Sequence, residues 1–165
     1  LAETNKKLTA ETTARVSYDD KALYIAVRCQ EPEMKKIVIG GAKHDDSGIW
    51  MGDSLEFFFG VDGKTLPFTH FIINPAGVTW DALHTPETDT SYNPTWQRAV
   101  AKGDQEWTVE VAFPWEALKM KAPTPGTVLR VNLCRQRSGA HELAAWTPMA
   151  GGFLEHDLYG HWTFR

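Results

Sequence analysis

Val16-Ser17-Tyr18-Asp19-Asp20-Lys21-Ala22-Leu23-Tyr24-Ile25-Ala26-Val27 is the stretch that decides the fold class. Val16 and Tyr18 alternate with Arg15 and Ser17, a polar Asp-Asp-Lys turn follows, and Leu23, Ile25, Val27 and Cys29 then alternate with Tyr24, Ala26 and Arg28. A period of two places alternate side chains on opposite faces of a strand. Two such runs joined by a polar turn predict an antiparallel hairpin.

The same pattern recurs outward along the chain. Leu55, Phe57 and Phe59 share one face, with Glu56 and Phe58 on the other. Phe68 to Ile73 reads as a strand stopped at Asn74-Pro75-Ala76-Gly77, and Val78 to Ala82 can return antiparallel to it. Trp107, Val109, Val111 and Phe113 oppose Thr108, Glu110 and Ala112; Leu129, Val131 and Leu133 repeat the pattern, and Tyr159 to Phe164 closes the chain. Only Pro114 to Leu118 reads as helical, a single turn opened by proline. Leu83 to Pro94 is polar and without period, so a long loop is expected there. The expectation is an all-β chain, an antiparallel β-sandwich with one short helical turn, forming a single domain over residues 1–165.

Composition narrows the function. The 165 residues carry 17 basic and 21 acidic side chains, a formal charge of -4, with no basic cluster beyond the short Arg135 to Arg137 stretch. Phosphate binding needs a concentrated cationic face, so duplex nucleic acid is not an expected partner. No apolar run approaches the ~20 residues of a membrane helix. Cys29 and Cys134 permit at most one disulfide and no zinc site by themselves, and free thiols within strands are expected. There is no Gly-x-Ser-x-Gly, His-Glu-x-x-His or P-loop, so catalysis is not expected. The chain opens at Leu1 without Met, which suggests a piece excised from a longer protein.

Taken in order, several segments resemble the carbohydrate-binding module family 9-like domains. They are the hairpin above, Trp50-Met51-Gly52-Asp53-Ser54-Leu55-Glu56-Phe57-Phe58, Phe71 to Gly77, Trp107 to Trp115, Arg130-Val131-Asn132-Leu133, Trp146-Thr147-Pro148 and Tyr159-Gly160-His161-Trp162. The resemblance implies a β-sandwich and a sugar unit held between two aromatic rings, with polar side chains on its hydroxyls. Pyranose C–H faces stack on indole, and hydroxyls need planar polar partners. Carried over by position, Trp50 matches the first ring, Glu56 a hydroxyl-accepting carboxylate and Phe153 the second ring, with Trp146 as an alternative ring. Two positions depart from the family's sugar binders: Ile72 stands where they carry Arg, and Cys134 where they carry Gln. The expected partners are a poly- or oligosaccharide and the catalytic domain of a parent chain, secreted or held in the cell envelope.

The remaining candidates each have a plain structural reading. Trp107 on an apolar strand face, Trp115 after Pro114 and Trp162 on the last strand are expected to pack, whereas Trp80 and Trp96 adjoin turns and are expected at the surface. Trp50 is either a ligand platform or a strand-end plug. Glu56 either meets ligand or joins cross-strand ion pairs with Arg28, Glu110, Arg130 and Asn132 on the non-core parity. Asp45 and Asp46, with Asp53, offer hard oxygens of the kind calcium takes, although a solvated acidic turn explains them equally. No Cys-x-x-Cys-His is present; Met51, Met149, His70 and His84 are the residues on which a haem would draw.

Overall fold

Each run of alternating residues forms a strand, and antiparallel pairing joins the strands into two sheets. The computed structural model describes residues 8–61 and 64–165. The strands are β1 (Thr12–Tyr18), β2 (Ala22–Gln30), β3 (Ser54–Gly60), β4 (Phe68–Ile73), β5 (Thr79–His84), β6 (Thr88–Asp89), β7 (Gln97–Lys102), β8 (Glu106–Pro114), β9 (Val128–Arg137), β10 (Glu142–Ala145) and β11 (Gly160–Thr163). The first sheet runs β1-β2-β8-β7 and the second β10-β9-β3-β4-β5-β6. β10 and β11 share one edge of β9, β10 on Cys134 to Arg137 and β11 on Val128 to Val131.

The inner faces meet in the core that the alternation marks out. Leu23, Ile25, Val27 and Cys29 of β2 and Trp107, Val109, Val111 and Phe113 of β8 pack on Leu55, Phe57 and Phe59 of β3, with Phe71, Ile73, Leu129 and Val131. Burying each large apolar side chain contributes roughly 1.5–3 kcal/mol. The turn at Trp115–Leu118 closes one end, where the Trp115 Nε1–H donates to the Asp19 carbonyl at 3.0 Å.

The two sheets are also joined by buried charge. Glu31, just past β2, accepts from Arg137 through both oxygens (2.8 Å each) and from Arg135 at 3.2 Å, and Arg137 Nη1 donates to Glu142 at 2.9 Å. Arg135 also donates to the Gln30 carbonyl at 2.9 Å and lies over the Trp107 ring. These ion pairs form where β9 faces the end of β2.

A second layer explains the near-continuous apolar run in β3. Every residue of β3 and β4 is buried, because the outer face of the second sheet is covered as well. Phe58, Phe68, Cys134, Met149 and Tyr159 form one cluster there, and Ile49, Ile72, Trp80 and Ala82 another. Both thiols are free and buried, Cys29 in the core and Cys134 on this outer face.

Several local expectations change. Trp80 and Trp96 are buried, each only 4% exposed, because these covering clusters and the inter-sheet core reach them. Among the described residues, further 3-10 turns at Met34–Lys36, Ser47–Met51, Ser138–Ala140 and His156–Leu158 join the one at Trp115. Leu83 to Pro94 contains the end of β5 and the short β6 rather than loop alone. β7 and β10 lack an apolar alternation strong enough to read from sequence; β7 is an exposed edge strand.

Candidate functional site

Residue parity assembles the candidate site on the outer face of the second sheet. Glu56 on β3 stands opposite Ile72 on β4 and Cys134 on β9, so all three point the same way. Ile72 pairs with Trp80, and Phe68 with His84, which brings both β5 side chains to that face. Glu56 is 4% exposed and its Oε2 lies 2.9 Å from His70 Nε2. His70 Nδ1 is 3.3 Å from His84 Nε2, and His84 Nδ1 is 3.0 Å from Thr88 Oγ1. Burial first, then His70 and His156, pushes the His84 pKa down to about 4, so its ring is neutral at pH 7. One proton arrangement satisfies the whole row: Thr88 O–H donates to His84, His84 Nε2–H to His70, and His70 Nε2–H to the Glu56 carboxylate. Phe58 stacks on His70 (4.1 Å, 26°) and Phe68 on His84 (4.4 Å, 13°), so each imidazole has one face covered by a phenyl ring. The ion pairs expected of Glu56 with other strand residues do not form: its partner is His70, and Arg28 pairs with Glu106 instead.

Trp50 reaches this face from the turn at Ser47–Met51. Asp46 caps the turn, accepting from Gly48 N at 2.8 Å, and Gln136 Nε2 ties it to β9 by donating to the Trp50 carbonyl at 2.7 Å. The indole is 38% exposed and rests edge-on against buried Trp80, with centroids 4.7 Å apart at 64°. Trp80 in turn packs on His70. Trp50 is therefore a braced, partly open ring, with Trp80 and His70 between it and Glu56.

Phe153 is half-buried against the Phe58, Phe68 and Tyr159 cluster, and its carbonyl accepts from the Tyr159 hydroxyl at 2.9 Å. No ring contact joins it to Trp50 among the described residues. Trp146 is 52% exposed and lies elsewhere, edge-on to Trp162. It lines a cleft of about 680 Å³ between β1 and the β10–β11 edge, with Val16, Tyr18 and Phe164. Asn132 on the Glu56 face is not open to a ligand: its Oδ1 accepts from Thr147 N at 3.0 Å and its Nδ2 donates to Met149 Sδ.

The acidic positions separate. Asp46 is occupied in capping, and Asp53, 2% exposed, accepts from Val38 N at 2.9 Å. Asp45 instead meets His44 and Asp81, one possible ligand atom from each lying within 4.8 Å of the others. Burial pushes the Asp81 carboxyl up to about 6 against the opposing pull of Trp96 and His44. Neither Asp81 nor His44 stands out in the sequence. The alternation of β5 is the signal that could have placed Asp81 opposite Phe71, facing inward.

The family model described as carbohydrate family 9 binding domain-like matches residues 1–162. No curated protein matches the chain. Among solved structures, a Bacteroides uniformis protein proposed to bind carbohydrate superposes with a TM-score of 0.76 at 16% identity, over 94% of this chain and 79% of that one. A family 9 carbohydrate-binding module from Caldicellulosiruptor kristjanssonii in complex with glucose gives 0.69 at 16% identity, covering 98% and 80%. Its complex with cellotriose gives 0.67 at 15% identity, covering 95% and 76%. At such identities the likeness is one of fold.

Proposed function

The chain belongs to the carbohydrate family 9 binding domain-like family, and from that premise we propose that it is a non-catalytic module that binds a poly- or oligosaccharide for an attached enzyme, in a secreted or cell-envelope protein. Trp50 carries the reading: a 38% exposed indole held rigidly by Trp80 at the rim of the sheet face that also bears Glu56. A rigid exposed ring stacks on a pyranose with little entropy to lose. Tethering such a module to a catalytic domain raises the effective concentration of substrate without any new chemistry.

The affinity expected of this surface is low. One stacked ring contributes about 0.5–1.5 kcal/mol beyond area burial, and a hydrogen bond to a charged group about 1.5–3. Set against an association cost of several kcal/mol, so few contacts support only weak binding, in the millimolar range.

Tryptophan fluorescence titration with glucose and cellotriose tests the proposal. Quenching that saturates near millimolar sugar is expected, lost in Trp50→Ala and kept in Trp146→Ala. Loss in Trp146→Ala alone would move the site to the β1–β10 cleft. Two features favour a second reading, a sandwich that packs on a catalytic neighbour without binding sugar. Glu56 is engaged by His70, and Ile72 is fully buried. Silence of the wild-type chain across a glycan panel at millimolar concentrations would establish that reading and sink the first.

A further inference from the structure

A row of acceptors without donors lies at the sandwich edge beside β5. Asp81 is 0% exposed, and only one of its oxygens is engaged, at a long 3.4 Å from Trp96 Nε1. The other, Oδ1, is buried without any partner, and so is Asp45 Oδ1. Leaving a buried carboxylate oxygen unpaired is costly, and native structures rarely do so. Asp45 is held in position by the backbone: its φ is 61°, in the left-handed region that Asp tolerates, and its N–H donates to the Thr79 carbonyl at 3.0 Å.

His44 completes the group. Its Nδ1 lies 3.1 Å from the Thr79 carbonyl and 3.0 Å from Thr79 Oγ1, so Nδ1 can donate to the carbonyl or accept from the hydroxyl. Its Nε2 lies 2.6 Å from Asn93 Oδ1 and 3.4 Å from Asp45 Oδ2, both acceptors. In one tautomer Nε2–H donates to Asn93; in the other, with Nδ1–H donated to Thr79, Nε2 offers a lone pair to a cation. That second tautomer, a ring N–H on a backbone carbonyl with the other nitrogen towards a carboxylate, is the arrangement that fixes metal-ligating histidines.

We propose that His44, Asp45 and Asp81, with Asn93 at its rim, form a binding site for one divalent transition-metal ion of the zinc type. The donor set decides the metal class: imidazole nitrogen suits zinc and its neighbours, whereas calcium takes six to eight oxygens. Tetrahedral zinc with bonds of about 2.0–2.1 Å sets its ligands about 3.3 Å apart. The His44–Asp45 separation of 3.4 Å already matches, and the exposed His44 and partly exposed Asp45 side chains can close on the fixed Asp81. The ion would pin the turn that precedes Trp50 to β5 and to the segment carrying Asn93. The site is distinct from the Asp45-Asp46-Asp53 grouping suggested by the sequence, and it stands independently of sugar binding.

Chelator-treated protein titrated with zinc chloride, and separately with calcium chloride, provides the test, read by calorimetry and by thermal melting. One equivalent of zinc should bind, and at a hundredfold excess over Kd the Tm should rise by roughly 5–10 °C. Calcium should do neither. His44→Ala changes an exposed side chain, so it should fold normally and lose at least a hundredfold in zinc affinity. Asp81→Asn should lose it as well, and His161→Ala should not. Absence of zinc binding, zinc affinity unchanged in His44→Ala, or equal stabilisation by calcium would each overturn the assignment and leave a plain imidazole–carboxylate contact.

Discussion

Replacing Glu31 by Gln should cost about 3–5 kcal/mol of folding stability, the range for breaking a buried ion pair by removing one partner. The side chains of Glu31, Arg135 and Arg137 are 5%, 2% and 5% exposed, so water cannot take over the lost contacts. Glu31 alone accepts three guanidinium hydrogen bonds. Gln keeps one acceptor oxygen and turns an NH2 donor towards Arg137, leaving Arg137 to Glu142 alone and Arg135, among the described residues, without a carboxylate in contact. For a domain of this length, 1 kcal/mol moves Tm by about 2–4 °C, so the variant should melt roughly 6–20 °C lower. Urea unfolding followed by tryptophan fluorescence measures the free energy, and a double-mutant cycle with Arg137→Gln isolates the pair, with coupling above about 1 kcal/mol expected. The Arg137 partner holds the Glu31 carboxyl below its ordinary value. Its contribution is therefore fully present above the unfolded-state pKa and lost as pH falls through the folded one, and Glu31→Gln should show a shallower acid limb. As a contrast, Arg28→Gln breaks an exposed pair with Glu106 and should cost no more than about 1 kcal/mol. A Glu31→Gln loss no larger than that of Arg28→Gln would refute the claim that buried charge joins the sheets.

His84 is buried with its pKa lowered from 6.5 to about 4; stability is therefore complete above about pH 6.5 and falls as pH drops towards 4. The loss reaches at most about 3 kcal/mol, and His84→Asn should remove that slope in urea unfolding measured across the same pH range. Trp80→Ala should cost about 3–5 kcal/mol, while Trp50→Ala costs about 1 kcal/mol or less, because only the first is buried; equal losses would make Trp50 a plug. Thiol reagent should find no reactive cysteine in the native protein and two in urea without reductant, since Cys29 and Cys134 are free, buried and raised in pKa by desolvation.

The sandwich was legible because it rests on a period of two. Leu23, Ile25 and Val27 announce their face without help, and the same holds for Trp107 to Phe113. What lies over the outer face of the second sheet was not legible. Phe58, Cys134 and Ile72 have the parity of solvent-facing residues, and they are buried only because Met149, Phe153, Tyr159 and Ile49 come over them from irregular segments. No periodicity encodes where such segments land, so Trp80 read as a surface ring. Asp81 escaped for a related reason: the alternation of β5 could place it facing inward, but nothing in the sequence sets β5 against the turn carrying His44 and Asp45.

The fate of Glu56 follows from its neighbour across the strands. Ile72 is its register partner on β4, so no guanidinium is available there to hold the carboxylate. A carboxylate buried to 4% exposure must find a donor inside the protein. His70, next to Ile72 but one on along the same face, supplies it at 2.9 Å and is itself satisfied through His84 and Thr88. The polar capacity of Glu56 is thus engaged in an internal hydrogen-bonded row. On the proposed function, recognition at this face falls chiefly to stacking on Trp50, which reads the apolar side of a pyranose and little of its hydroxyl stereochemistry. The module should then discriminate weakly among sugars that share that apolar face. A glycan panel giving similar Kd values for glucose- and xylose-based oligosaccharides is the expected pattern. Sharp selectivity for one of them, lost on mutating Glu56, would show that the carboxylate leaves His70 for the ligand.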